Sequence, residues 1–171
     1  MPTVFTAPQE IPEWYGHFDK PSLFLAGSIE QNKAVDWQQE VIDLLIDEQD
    51  EFYILNPRRF SWDTFAHDDL VRAQVRWELN ALERADAIFM FLQPGTISPI
   101  SIGELGLFAG RNSTGMMINK LIVVCPDGFQ RKVNVEEMCA RYNVPLFSDF
   151  SEGLSAVFAL LHKNAAYHRT G

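Results

Sequence analysis

Ala87-Ile88-Phe89-Met90-Phe91-Leu92, then Gln93-Pro94-Gly95-Thr96-Ile97-Ser98, then Pro99-Ile100-Ser101-Ile102-Gly103-Glu104-Leu105-Gly106-Leu107-Phe108-Ala109-Gly110, is the run of residues on which the fold turns. Six apolar residues without a polar interruption suit a strand buried on both faces. Pro94-Gly95 and the hydroxyl residues after it mark a loop. The segment from about Ser101 to Gly110 reads as an apolar helix with one carboxylate, Glu104, close to its start. Strand, polar loop, then helix is where open α/β sheets place their ligands.

The same alternation extends to both sides. Leu23-Phe24-Leu25-Ala26-Gly27, Phe52-Tyr53-Ile54-Leu55, Leu121-Ile122-Val123-Val124-Cys125 and the shorter Val144-Pro145-Leu146-Phe147 read as further strands. Asn56-Pro57 stops the second of these. Between them, residues 32–49 show helical spacing, with Trp37, Val41, Leu44 and Leu45 on one face. Asp68 to Arg84 is a helix whose inward stripe is expected to be Val71, Val75, Leu79 and Leu82, with Glu78 on the same stripe. Gly103, Gly106 and Gly110 fall on one side of their helix and are expected to let another backbone approach. Residues 134–142 are expected to be helical. Ser151 is the expected N-cap of a last helix with Leu154, Val157, Phe158 and Leu161 inward.

Short apolar strands alternating with amphipathic helices mean a parallel sheet covered on both faces. The expected architecture is α/β: a flavodoxin-like three-layer sandwich with a four- or five-stranded parallel sheet, formed by a single domain over residues 21–171. Residues 1–20 carry Pro2, Phe5, Pro8, Pro12, Trp14, Tyr15 and Phe18. They read as an arm without regular structure whose aromatics pack on the body or on a neighbouring subunit.

Composition narrows the function classes. A chain of 171 residues with 47% hydrophobic residues suits one globular domain with a sizeable core. The formal net charge of −9 repels a phosphate polymer, so nucleic-acid binding is not expected, although a single nucleotide in a local pocket is compatible with it. Cys125 and Cys139 form neither a disulfide framework nor a metal spacing, and a reduced, cytoplasmic setting is the default expectation. Met1-Pro2-Thr3-Val4-Phe5 lacks a basic segment leading into an apolar core, so no signal peptide is expected, and no apolar run approaches membrane-spanning length. His17, His67, His162 and His168 show no metal spacing. No metal or organic cofactor is expected, and no Gly-rich dinucleotide or triphosphate fingerprint is present.

Two readings stand for Glu104. Ser101 and Glu104 match S-x-x-E ahead of an apolar run, a capping box with no further role, and spacing alone favours it. The other reading is a carboxylate kept ionised by the helix start and facing a cleft, able to attack an electrophilic carbon. Glu78 is either a stripe residue paired with an arginine such as Arg58, or the partner acid of Glu104. One nucleophilic carboxylate and one proton handler are the equipment of retaining glycosyl transfer. Ser28, Ser98 and Ser101, in strand-to-helix loops, bind a phosphate or sugar hydroxyl as a set, or serve singly as turn and cap residues. Arg58 and Arg59 meet a phosphate or pair with surface carboxylates. Asp86 is assigned to loop amides and not to catalysis.

Taken together, Phe24-Leu25-Ala26-Gly27-Ser28-Ile29, Asn56-Pro57-Arg58-Arg59, Trp77-Glu78-Leu79 through Ala85-Asp86, and Ser98-Pro99-Ile100-Ser101-Ile102-Gly103-Glu104-Leu105-Gly106 resemble the nucleoside 2-deoxyribosyltransferase-like family over about residues 22–162. The resemblance implies a flavodoxin-like fold and cleavage of the N-glycosidic bond of 2′-deoxynucleosides. It implies a nucleophile at Glu104 and a second acid at Glu78, where the family has Asp. Gly27, Ser28, Arg58, Ser98 and Ser101 are the expected substrate-binding positions, Ser28 and Ser98 on the resemblance and the others on their place in the strand-end loops. Asn134 is the position that resembles an Asn lent to a neighbouring subunit, which implies a homo-oligomer with shared active sites. Six residues before the nucleophile the transferases carry Asp, whereas Ser98 stands here. The related deoxynucleoside 5′-monophosphate N-glycosidases have Ser at that position and a phosphate-binding Ser at the position of Ser28. The implied partners are a nucleoside or nucleotide and, for a transferase, a free nucleobase. The alternatives are a pure N-glycosidase and a non-catalytic nucleotide-binding module. Trp62 or an arm aromatic is the candidate to stack on the base.

Overall fold

The computed structural model describes residues 1–11, 18–30, 34–59, 68–113 and 119–168. Six strands, β1 (Thr3–Thr6), β2 (Ser22–Gly27), β3 (Tyr53–Asn56), β4 (Ala87–Phe91), β5 (Leu121–Val124) and β6 (Leu146–Phe147), form one sheet in the order β1-β3-β2-β4-β5-β6. Every pairing is parallel. Five of the strands follow the flavodoxin-like order, and β1 adds a sixth at the outer edge of β3. The sheet therefore exceeds the four or five strands expected from the sequence. The extra strand comes from the arm that was expected to lack regular structure. Thr3 to Thr6 is too short and too mixed to show a period. It becomes a strand because β3 offers an open edge, with Thr3 opposite Tyr53 and Thr6 opposite Asn56.

The helices are α1 (Trp37–Leu45), α2 (Asp68–Arg84), α3 (Pro99–Ser113), α4 (Lys132–Tyr142) and α5 (Phe150–His168). Alternate strand residues point to opposite faces. Phe24, Ala26, Ile88, Met90, Leu121 and Val123 form one core with Trp77, Leu82, Leu105, Phe108 and Val135 from α2, α3 and α4. Leu23, Leu25, Phe89, Phe91, Ile122 and Val124 form the other with Trp37, Val41, Leu45, Val157 and Leu161 from α1 and α5. At Gly153 a Cβ would lie 2.1 Å from Val124 Cγ2, so α5 reaches the sheet only because that residue has no side chain. Among the described residues, no helix is long and apolar enough to cross a membrane.

Several local expectations are corrected. Helix α1 begins at Trp37, where Asp36 accepts from Gln39 N at 3.1 Å, and it buries Ile42 while Leu44 is 57% exposed. Helix α2 buries Gln74, Trp77, Ala81 and Leu82, and leaves Val71, Val75 and Leu79 each 45–46% exposed. Trp77 decides that rotation: its ring packs near Phe24, and its Nε1 donates to Gln9 O at 2.8 Å. Asp149, not Ser151, caps α5, accepting from Glu152 N at 2.9 Å and from Ser151 Oγ at 2.6 Å. Among the described residues, a Cβ at Gly103 or Gly110 would have no neighbour from another element within 4 Å, and one at Gly106 would meet Met138 Sδ at 4.0 Å, so the close approach expected on this side of the helix is not seen there.

Candidate functional site

The strand order reverses between β2 and β4, and the carboxyl ends of these two strands are where such a switch point places a ligand. Gly27 ends β2 at φ +132°, and a Cβ there would sit 2.1 Å from Phe91 O. Its bare backbone lets Ser28 N donate to Phe91 O at 2.9 Å. Ser28 Oγ then gathers the loop after β4. It accepts from Gln93 N at 2.9 Å and shares hydrogen bonds with Thr96 Oγ1 at 2.8 Å and Ser98 Oγ at 2.7 Å. Ser28 and Thr96 are fully buried and Ser98 nearly so. The three hydroxyls bind one another and so fix the loop that leads into α3.

Ser98 occupies the turn before α3 at φ +39°, and its carbonyl accepts from Ile102 N at 3.0 Å. Pro99 follows at the first helical position, where its missing N–H is no loss. Ser101 lies inside the first turn and donates its hydroxyl to Gly27 O at 2.8 Å. This corrects the capping-box reading, because Ser98 and not Ser101 stands at the helix start and Glu104 lies in the second turn. The amides of Ile97 and Ser98 instead donate to Glu30 Oε1, at 2.8 Å and 2.6 Å.

Glu104 is half-buried, and Glu78 of α2 is close enough to act on it electrostatically. Burial pushes the Glu104 carboxyl up to about 8, and the negative charge of Glu78 adds to the rise. The Glu78 carboxyl is also raised by burial, against a hydrogen bond from Gln74 and the charge of Arg59. Gln74 lies one turn before Glu78 and donates Nε2 both to Glu78 Oε1 and to Pro57 O, while its Oε1 accepts from Arg59 Nε. Two glutamates held in this way keep a proton between them at a pH where isolated carboxyls have lost theirs.

Arg58 is not the partner of Glu78. It donates to Val35 O at 2.8 Å and Ala34 O at 3.2 Å, and its Nε lies 3.5 Å from Asp36 Oδ2. Thus Arg58 pins the segment before α1, and Arg59 is the cation behind Glu78. Asp86 accepts from Ser22 N and Ser22 Oγ, both at 2.8 Å, the loop role assigned to it. Asn134 lies exposed in the first turn of α4. Trp14, Tyr15, His17, Trp62, Asp63 and His67 lie outside the described residues, and of the candidate base-stacking rings the arm's Phe5 and Phe18 are instead buried edge-on against Tyr53. No group of three or more His, Cys, Asp or Glu among the described residues is placed to hold a metal ion. Sequence reasoning missed Glu30, Gln74, Gln93 and Thr96. Gln74 has a signal, a polar residue one turn from Glu78. Glu30 has only its nearness to Ser28.

A family model described as "Nucleoside 2-deoxyribosyltransferase like" matches residues 20–129, which span β2 to β5 and include Glu30, Glu78 and Glu104. Comparison with curated proteins finds no match.

Proposed function

The chain belongs to the nucleoside 2-deoxyribosyltransferase-like family, and from that premise we propose that it breaks and remakes the N-glycosidic bond of 2′-deoxynucleosides or their 5′-monophosphates. The observation that carries this reading is the pair of half-buried glutamates, Glu104 and Glu78, on neighbouring helices at the switch point of the sheet. In the proposed reaction the proton that the pair retains moves from Glu104 to Glu78, and Glu104 attacks C1′ as the carboxylate from the face opposite the base. The C1′–N bond breaks, and Glu78, whose carboxyl is raised by burial above its ordinary range, gives the proton to the departing base. The product is a deoxyribosyl ester of Glu104. A second base or a water then attacks C1′, loses its proton to Glu78 and frees Glu104, so the pair ends with the one proton it began with.

Gly27, Ser28, Ser98 and Ser101 shape the floor of this site, and Arg58 holds the segment that walls it. The exposed apolar residues Val71, Val75 and Leu79 of α2, Ile100 and Leu107 of α3 and Val133 of α4 lie on helices covering the same sheet face. They suit a homo-oligomer in which Asn134 reaches a neighbour's site.

The test is a product assay with deoxynucleosides and their monophosphates, with and without a free acceptor base. Base exchange without net sugar release identifies a transferase, and sugar release identifies a hydrolase. Glu104→Ala is expected to abolish either reaction in a folded protein. Wild-type turnover by that variant refutes the role of Glu104. Ligand-induced thermal stabilisation without any cleavage by the wild type supports a nucleotide-binding module instead.

A further inference from the structure

We infer that Glu30 is a specificity-determining residue that selects an unphosphorylated 5′-hydroxyl and rejects a 5′-phosphate, an inference that rests on the glycosidic reading above. Backbone amides at a helix start are the donors by which proteins hold phosphate groups. Of the amides around the start of α3, those of Ile97 and Ser98 are already engaged, because Glu30 Oε1 accepts from both. Pro99, the next residue, has no N–H to offer. The hydroxyls of Ser28 and Ser98 are spent on each other and on Thr96. The nearby guanidinium of Arg58 is directed to the carbonyls of Ala34 and Val35 and to Asp36.

The spacing suits a sugar. Ser98 precedes Glu104 by six residues, so the two ends of this segment lie about 9 Å apart along the helix at 1.5 Å per residue. A deoxyribose in contact with Glu104 at C1′, with its 5′ end towards the helix start and hydrogen-bonded at its 5′ oxygen, covers a gap of this size together with those contacts and brings its 5′ substituent to Glu30. A hydroxyl there donates to the carboxylate, which accepts several hydrogen bonds. A phosphate dianion meets a like charge in a site that already holds Glu78 and Glu104, and such juxtapositions are strongly unfavourable. The position of Glu30 two residues after Ser28 therefore reverses what the serines alone suggest.

The test compares the wild type, Glu30→Gln and Glu30→Ala on the four common 2′-deoxynucleosides and their 5′-monophosphates. It reads the ratio of kcat/KM for each pair, which a merely structural role would leave unchanged. The wild type is expected to favour the nucleosides, and both variants to move the ratio towards the monophosphates by about tenfold or more. Wild-type preference for monophosphates, or an unmoved ratio in both variants, overturns the inference. If the wild type cleaves none of these compounds, the glycosidic reading fails. Calorimetric binding of the same pairs then decides the role of Glu30: tighter monophosphate binding by Glu30→Gln than by the wild type supports it, and equal binding refutes it.

Discussion

At the scale of single residues, Glu104 is where function and stability oppose each other. Its carboxyl sits at about 8 in the folded protein against an ordinary 4.5. Below pH 4.5 both folded and unfolded chains carry the proton, and burial of this group has no electrostatic cost. As pH rises from 4.5 to 8 the unfolded chain loses the proton first, so stability falls, and above 8 the whole penalty of burying the charge is present. Glu104→Gln removes that penalty while keeping the shape. The variant is expected to match the wild type near pH 4.5 and to exceed it at pH 8.5 by on the order of 2 kcal/mol, once solvent screening and relaxation of Glu78 are allowed for. Urea unfolding at the two pH values measures this. An equal difference at both would mean that Glu104 is not buried as a charge. The same substitution removes the proposed nucleophile, so a gain in stability with loss of turnover is the signature expected of a site residue.

At the scale of elements, the glycines around the site separate into two kinds. Gly27 joins β2 to β4 in a conformation at φ +132° with a carbonyl where its Cβ would be. Gly27→Ala is expected to cost about 3 kcal/mol or more, because the strands must part where Ser28 gathers the loop. Gly103, inside α3, has no neighbour among the described residues within 4 Å of its would-be Cβ. Gly103→Ala is expected to stabilise the monomer by about 0.5–1 kcal/mol through helix propensity. Denaturant midpoints of the two variants check both statements, and destabilisation by Gly103→Ala would show that another chain packs there. The end of α2 is set by a residue far along the sequence. Lys120 Nζ donates to Leu82 O at 2.8 Å, Glu83 O at 2.7 Å and Ala85 O at 3.0 Å. A cation is favourable at a helix C-terminus, although burial lowers Lys120 to about 8 against the pull of Asp86.

At the scale of the whole molecule, the first eleven residues complete the sheet. Phe5 meets the Tyr53 ring edge-on at 5.3 Å, Ile11 is fully buried, and Gln9 O takes the indole N–H of Trp77. Removing residues 1–11 is expected to uncover the edge of β3, strand that indole, and lower stability by several kcal/mol. Chemical denaturation and light scattering together test this: a truncated chain that is as stable and as monodisperse as the full one would make the arm dispensable. The same tie explains the rotation of α2. With Trp77 held by Gln9 and Gln74 by Pro57, the helix turns Glu78 towards Glu104 and leaves Val71, Val75 and Leu79 on its outer side.

The alternation of apolar runs with helical periods was sufficient, by itself, for the α/β class and the flavodoxin-like strand order. Burial of a parallel strand on both faces leaves a continuous apolar signature that needs no knowledge of its neighbours. Glu104, Glu78 and Ser28 stood out as candidates because a carboxylate in an apolar helix and a hydroxyl at a strand end are out of place locally. Whatever depends on a distant partner was not legible. The strand of the arm needed the open edge of β3. The inward face of α2 needed Gln9 and Pro57. The capping box failed because Ser101 bonds to Gly27 across the sheet. Glu30 acquires its place from amides 67 and 68 residues away. Periodicity reports how a segment divides itself between core and solvent, whereas hydrogen bonds across the sheet decide which polar atoms meet, and only the folded chain brings those atoms together.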